Sequence, residues 1–181
     1  MHRPYQPVLL LGDVGFGVVD VLKALTATLP PLGARSHATG TMRTLAYPSS
    51  TKRYTFFEPF ERFTPIEHGV LREVAIDVAV VVAWTIGDVE RLARQLRAAR
   101  AVDVASWVIF IETSRGTPAG HDQLERQLRQ LLVEHGIAGD DVDVVRGAIG
   151  PDVVTRLIDV LDAVPVAPAL QNPRRRDVEW A

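Results

Sequence analysis

The chain has 181 residues, which is enough for one domain with a sizeable hydrophobic core. It carries 20 Lys and Arg against 22 Asp and Glu, and this net charge of −2 gives no general case for a nucleic-acid or membrane partner. It has no Cys, which excludes disulfides, thiol nucleophiles and Cys-ligated metals. Because no apolar run approaches the roughly 20 residues of a membrane span and no signal peptide is visible, we expect a cytoplasmic protein.

The first predicted elements are a buried strand, a glycine-containing turn and an amphipathic helix. Residues 8–11 form a continuous apolar run that Gly12 closes, which is typical of a buried parallel strand. The helix after Gly17 has apolar residues at intervals of three to four, namely Val18, Val21, Leu22, Leu25 and Leu29. Pro30-Pro31 predicts its end.

A hairpin is predicted next, after a loop. Residues 32–40 show no periodicity, so we predict a loop there. Residues 41–47 and 52–57 flank Pro48-Ser49-Ser50-Thr51 and predict two strands joined by a turn. A short helix is expected after Thr64-Pro65.

The second half of the chain alternates between strands and helices. Buried strands are predicted at residues 77–83, 107–111 and 142–145, and a helix follows each of them. Thr117-Pro118 predicts an N-cap followed by Pro at the first helical position, and Pro151 opens the last helix. The alternation predicts an α/β fold with a mostly parallel sheet of about six strands, helices on both faces and the hairpin as an antiparallel edge. We expect one domain over residues 1–164 and an extended Pro- and Arg-containing tail over residues 165–181.

The stretch between the first strand and helix has the layout of a phosphate-binding loop. Such a loop ends in Gly-Lys-Ser/Thr, where Lys holds phosphates and the hydroxyl holds Mg²⁺. Here Val18 and Val19 follow Gly17. The candidate phosphate loop, which we regard as vestigial, comprises Gly12, Asp13, Val14, Gly15, Phe16, Gly17, Val18 and Val19. It is either a tight strand-to-helix connection, which we favour, or an anion site built from backbone N–H groups.

With these motifs the chain resembles the GTP-binding domain of elongation factor Tu and other translational GTPases. The family's first motif reads close to Gly-His-Val-Asp-His-Gly-Lys-Thr-Thr-Leu, and residues 12–20 are similar to it. The family's Ala-Leu-Thr-x-x-Leu helix end corresponds to residues 24–29. Its Gly-Asp-Asp-x-x-x-Val-Arg-Gly is similar to residues 139–147. The resemblance spans about residues 7–164 and implies a P-loop GTPase-like fold. The family's second and third domains have no counterpart.

Departures from the family fall on its chemistry. Besides Val18 and Val19, the family's Asp-x-x-Gly-His falls on residues 58–62, Glu-Pro-Phe-Glu-Arg. Its guanine-reading Asn-Lys-x-Asp falls on residues 112–115, Glu-Thr-Ser-Arg, and its Ser-Ala on Ala148-Ile149. We therefore expect no catalytic residues, no metal site and no cofactor. The four departures should surround one pocket, with Val18 and Val19 turned into the core where a nucleotide would sit.

The leading hypothesis is a catalytically inactive GTPase-like domain that acts by contact with a protein partner. One alternative is a GTP-binding protein with residual binding of GTP or GDP with Mg²⁺ at an altered loop, and a second is a small-anion-binding module. Two further interpretations concern residues 58–63. Glu58, Glu61 and Arg62 are either an acid/base group or, as we favour, solvated loop charges. Phe60 and Phe63 are either core residues, which we favour, or a contact patch.

Overall fold

The computed structural model describes residues 3–12, 17–29, 35–39, 42–59, 65–85 and 89–166, of which residues 35–39 and 65–68 are described by their backbone alone. The strands are β1 (Tyr5–Gly12), β2 (Arg35–Thr39), β3 (Met42–Pro48), β4 (Arg53–Pro59), β5 (Val78–Ala83), β6 (Ser106–Glu112) and β7 (Asp143–Gly147). The α-helices are α1 (Val18–Thr28), α2 (Pro65–Val74), α3 (Val89–Arg100), α4 (Pro118–Glu134) and α5 (Pro151–Ala163). A short 3-10 helix, Gly139–Asp141, precedes β7.

All seven strands found in the described residues belong to one sheet, in the order β2-β3-β4-β1-β5-β6-β7. The pairs β4–β1, β1–β5, β5–β6 and β6–β7 are parallel, whereas β3 is antiparallel to both of its neighbours. The predicted α/β class, the mostly parallel sheet and the antiparallel hairpin edge are therefore confirmed. The hairpin is β3–β4, in which Arg43 lies opposite Glu58.

The predicted loop over residues 32–40 is wrong, because β2 occupies most of it and brings the strand number to seven. Its register with β3 runs from Arg35 opposite Ala46 to Thr39 opposite Met42. The sequence Arg-Ser-His-Ala-Thr has no alternation of apolar and polar residues, since an edge strand need not bury a full face. Pairing with β3 supplies the hydrogen bonds that make it extended.

Helices cover both faces of the sheet, as the alternation predicts. Successive residues of β1 point to opposite faces: Val8 and Leu10 belong to the layer with α1 and α5. Leu9 and Leu11 belong to the layer with α2, α3 and α4. The β5 strand is buried along its whole length, which explains its uninterrupted apolar sequence.

Local signals place the start of α4. Thr117 is the N-cap, and its hydroxyl accepts a hydrogen bond of 3.2 Å from the backbone N–H of Gly120. Pro118 occupies the first turn, where its missing N–H costs nothing. The predicted cap is confirmed.

The buried Lys52 links the end of α5 to β1. This link lies at the end of the sheet opposite the glycine turn. Lys52, in the turn before β4, donates to Gln6 Oε1 at 3.0 Å, to the Leu161 carbonyl at 2.8 Å and to the Val164 carbonyl. Burial lowers the pKa of Lys52. These bonds link residues up to 112 positions apart, so they tie the first strand to the last helix.

No helix within the described ranges combines the length and the apolar character that crossing a bilayer requires.

Candidate functional site

The carboxyl ends of the parallel strands meet at one edge of the sheet and enclose a cavity of about 280 Å³. Each wall follows one strand in the chain: the start of α1 after β1, Trp84 after β5, the β6–α4 loop and the β7–α5 loop. We call this space the loop-end cavity. It is lined by Gly17, Asp20, Trp84, Glu112, Ser114, Arg115, Ala148 and Ile149.

Two of the four departures noted in the sequence line this cavity, namely Glu112 with Ser114 and Arg115, and Ala148 with Ile149. The candidate loop contributes Gly17, whereas the departures Val18 and Val19 are not part of the lining. Residues 58–62 contribute no lining from their two described residues, Glu58 and Pro59. Asp13, Val14, Gly15 and Phe16 of the candidate loop, and residues 60–64, lie outside the described residues. The parallel sheet thus brings together stretches that lie up to 132 positions apart, from Gly17 to Ile149.

The two described ends of the candidate loop are fixed by close packing. A Cβ atom added at Gly12 would lie 2.5 Å from the carbonyl oxygen of Val82 and 2.9 Å from Val18 Cγ2. Gly17, the N-cap of α1, has φ of 96°, a conformation that residues with a side chain rarely adopt. Close packing at Gly12 and the backbone conformation at Gly17 therefore explain both glycines without a ligand.

Val18 lies in the hydrophobic core, whereas Val19 does not. Val18 is 3% exposed and belongs to the core layer that contains Val82 and Leu22. Val19 is half-buried and is absent from both core layers, because each helical step turns the side chain by about 100°. The predicted burial is thus confirmed for Val18 and wrong for Val19.

Gln95 of α3, which the sequence analysis did not single out, holds the end of β1. Its Oε1 accepts a hydrogen bond of 3.0 Å from the Gly12 N–H, and its Nε2 donates to the Gly12 carbonyl at 3.1 Å. The side chain is 6% exposed. A signal was available: Gln95 lies three residues after Leu92 and one before Leu96, on the apolar side of an amphipathic helix.

The β6–α4 loop is held by hydrogen bonds at each step. Glu112 Oε1 accepts from the Ser114 N–H at 2.8 Å, and the Thr113 N–H donates to the Gly147 carbonyl at 3.2 Å. His121 Nε2 lies 2.7 Å from the Arg115 carbonyl oxygen and donates to it. These bonds fix the backbone that presents the Glu112 and Arg115 side chains.

Arg115 stacks on an aromatic ring at the cavity wall. Its guanidinium carbon lies 5.2 Å from the centre of the Trp84 ring, within the range of a cation–π interaction. Arg115 stands where the resemblance would place the guanine-reading Asp. Trp84 was missed in the sequence because a single Trp after a strand has no distinguishing pattern.

The expectation that Glu58 is a solvated loop charge is wrong. It is 5% exposed and forms an ion pair of 2.9 Å with Arg43, its cross-strand neighbour on β3. Burial raises the pKa of Glu58, and the Arg43 charge only partly offsets that effect. Phe56 and Phe57, on the same strand, are buried in opposite core layers. Glu61, Arg62, Phe60 and Phe63 lie outside the described residues.

Charges of both signs line the loop-end cavity. Asp20 and Glu112 contribute carboxylates, and Arg115 contributes a guanidinium. Within the described part of the chain, no group of three or more His, Asp or Glu side chains is arranged to hold a metal ion. The arrangement offers hydrogen-bond acceptors and a stacking surface, rather than a nucleophile with a neighbouring general base.

Comparison with known proteins identifies the fold. No protein-family model matches the chain. The apo structure of translation elongation factor SelB from Methanococcus maripaludis matches with a TM-score of 0.63 at 14% identity, over 92% of this chain and 35% of that one. The structure of the same factor with the GTP analogue GppNHp matches with a TM-score of 0.63 at 15% identity, over 92% of this chain and 36% of that one. The chain therefore has a GTPase-like fold that resembles one domain of a translation factor, and it spans about a third of the length of the proteins it matches.

Proposed function

We propose that this chain is a GTPase-like domain that does not carry out Mg²⁺·GTP chemistry and acts by contact with a protein partner. The observation that carries the proposal is the burial of Val18. The resemblance places the phosphate-binding lysine at this position, and here a valine that is 3% exposed packs into the core. A lysine cation at that point of a phosphate site is typically worth several kcal/mol of charge stabilisation.

The other residues present do not fit Mg²⁺·GTP either. Val19 has no oxygen to ligate Mg²⁺. Glu58 is buried against the cation of Arg43, which supports a structural use of its carboxylate. Arg115 offers only donors where guanine N–H groups need an acceptor. These residues do not support GTP hydrolysis by this chain.

Thermal unfolding with nucleotide tests the proposal. A ligand present at 100 times its Kd stabilises a protein by about 2.7 kcal/mol, which raises the Tm of a domain of this size by several degrees. We expect less than about 1 °C from 1 mM GDP or GTP with Mg²⁺, and the same result with ATP as control. A specific shift at micromolar GDP would contradict the proposal, as would stoichiometric nucleotide in the purified protein.

The protein-contact half of the proposal needs its own measurement. The chain, isolated from its source cell, is expected to carry a stoichiometric protein partner and no nucleotide in the same sample. A monomeric, partner-free chain at cellular concentration would argue against it.

Residual nucleotide binding is the second candidate, and the loop-end cavity favours it because a space remains where the resemblance places the base. It predicts a GTP-dependent rise in Tm that disappears in Ala148→Trp, which fills the cavity from an exposed position. A small-anion site has less support, since two of the three charged side chains lining the cavity are carboxylates.

A further inference from the structure

We propose that the loop-end cavity receives an arginine or lysine side chain of the protein partner, with the carboxylate of Glu112 as its receptor. The inference rests on the proposed function, because it names the chemistry by which that partner is recognised. It concerns this chain's own residues and needs no nucleotide.

The first observation is a buried carboxylate with one oxygen left over. Glu112 is 7% exposed and lines the cavity. Its Oε1 accepts the Ser114 N–H, whereas Oε2 accepts no hydrogen bond from any residue that the structure describes. Oε2 is not one of the fully enclosed polar atoms of the described residues, so it opens onto the cavity, where a ligand that donates N–H groups can form charge-assisted hydrogen bonds with it.

The second observation is the charge of the cavity wall. Asp20 adds another carboxylate, and its pairing with Lys23 is long, at 3.4 Å, with a lysine side chain that is 74% exposed. Such an exposed pair neutralises little. Water screens the charges of the exposed Arg115 and of Asp20, whose side chain is 48% exposed, more than that of Glu112, and the described lining carries two carboxylates against one guanidinium. The cavity therefore disfavours phosphates and favours a cation.

The volume and the apolar part of the lining can accommodate one long side chain. The volume of about 280 Å³ lies just below the range typical of small-molecule pockets. Ile149 and the Trp84 ring give apolar walls for the methylene stem of an Arg or Lys, while its head reaches a carboxylate. Charge-assisted hydrogen bonds of this kind are about twice as strong as neutral ones.

An NMR titration tests the inference directly. The probes are Nα-acetyl-arginine methylamide and its neutral counterpart Nα-acetyl-citrulline methylamide, and the readouts are the Ser114 amide and the Trp84 indole signals. We expect millimolar binding of the arginine probe and at least tenfold weaker binding of the citrulline probe. Equal affinity of the two probes, or no binding of either, would overturn the inference.

Two variants locate the receptor. Glu112→Gln keeps an oxygen for the Ser114 N–H but removes the charge, and we expect it to abolish the preference for arginine. Glu134→Gln makes the same change at an exposed position on α4, outside the cavity, and should leave binding within twofold of wild type. An unchanged preference in Glu112→Gln would exclude Glu112 as receptor. If that variant fails to fold, the comparison of the two probes on the wild-type chain still decides.

The arginine titration and the nucleotide test of the proposed function can fail independently of each other. Loss of the arginine preference with no response to GDP would refute only the cation pocket, whereas micromolar GDP binding would refute the proposed function itself.

Discussion

The start of α1 is held in place by packing among Gly12, Val18 and Val82. The β5 strand runs beside β1, so that Val82 lies opposite Gly12 in the register. Val18 then fills the space above Gly12, and its side chain contributes about 1.5–3 kcal/mol by leaving water. The glycine is thus explained by packing within the protein, with no ligand required.

We predict that Gly12→Ala lowers the free energy of unfolding by about 1–3 kcal/mol. The new methyl group would meet the Val82 backbone oxygen at 2.5 Å, and a strand carbonyl cannot move aside without losing its ladder bonds. Urea unfolding measures the effect. Gly69→Ala is the control, because no atom lies within 4 Å of its added methyl and the exposed interior of α2 favours Ala by up to about 1 kcal/mol. A loss of equal size in both variants would contradict this account.

Among the elements, α3 has a role beyond covering the sheet, because Gln95 closes the end of β1. β4 accompanies β1 only as far as Leu9 opposite Phe57, so the chain beyond that point lacks a strand on one side. The Gln95 amide supplies one donor and one acceptor to Gly12, as a neighbouring strand would.

We predict that Gln95→Ala costs about 2–4 kcal/mol of unfolding free energy and speeds hydrogen exchange at the Gly12 amide. Two buried backbone groups would lose their partners, at about 1–3 kcal/mol each. Gln123→Ala, at an exposed position of α4, should change stability by less than about 0.5 kcal/mol. Unaltered exchange at Gly12 in Gln95→Ala would show that the amide does not hold the end of β1.

Element by element, the sequence predicts what burial controls and misses what pairing controls. Continuous apolar runs identify β5 and β6, and the three-to-four spacing identifies α1 and α5, because both patterns follow from which face is buried. The sequence does not predict β2, because this edge strand takes its extended conformation from pairing with its neighbour β3.

The same distinction holds for the site. The resemblance and the rule that parallel strands end at one edge predict that Gly17, Glu112 and Ala148 meet, and they do. The burial of Glu58 depends on Arg43 across the hairpin, and the role of Gln95 on the docking of α3. The spacing of α3 places Gln95 on its apolar side, but the contact partners of Gln95 and Glu58 lie in other elements and leave no periodic trace in the sequence.

At the scale of the whole molecule, the sheet separates two ends with different tasks. The carboxyl end holds the loop-end cavity, and the opposite end holds a polar cluster that fastens α5. There Asp162 Oδ1 accepts from the Tyr54 hydroxyl at 2.5 Å and from Ser49 Oγ at 2.9 Å, close to the bonds made by Lys52. Because α5 carries a large part of one core layer, this cluster secures the final helix against the first strand.

Asp162 makes that attachment dependent on pH. Burial by itself raises the pKa of Asp162, but the hydrogen bonds from Tyr54, Thr51 and Ser49 outweigh it and hold the pKa below its usual value. In the unfolded chain an Asp carboxyl titrates near pH 3.9, so the stabilisation by Asp162 is complete above about pH 5 and is lost as the pH falls through the lower pKa of the folded state.

We predict that Asp162→Asn is less stable than wild type by about 1–2 kcal/mol at pH 7, and that this difference in unfolding free energy narrows below pH 4. Urea midpoints at pH 7, 5, 4 and 3 measure it, with the exposed Asp159→Asn on α5 as control. A gap that stays constant down to pH 3 would mean that the charge of Asp162 contributes nothing, and that the cluster holds α5 through neutral hydrogen bonds alone.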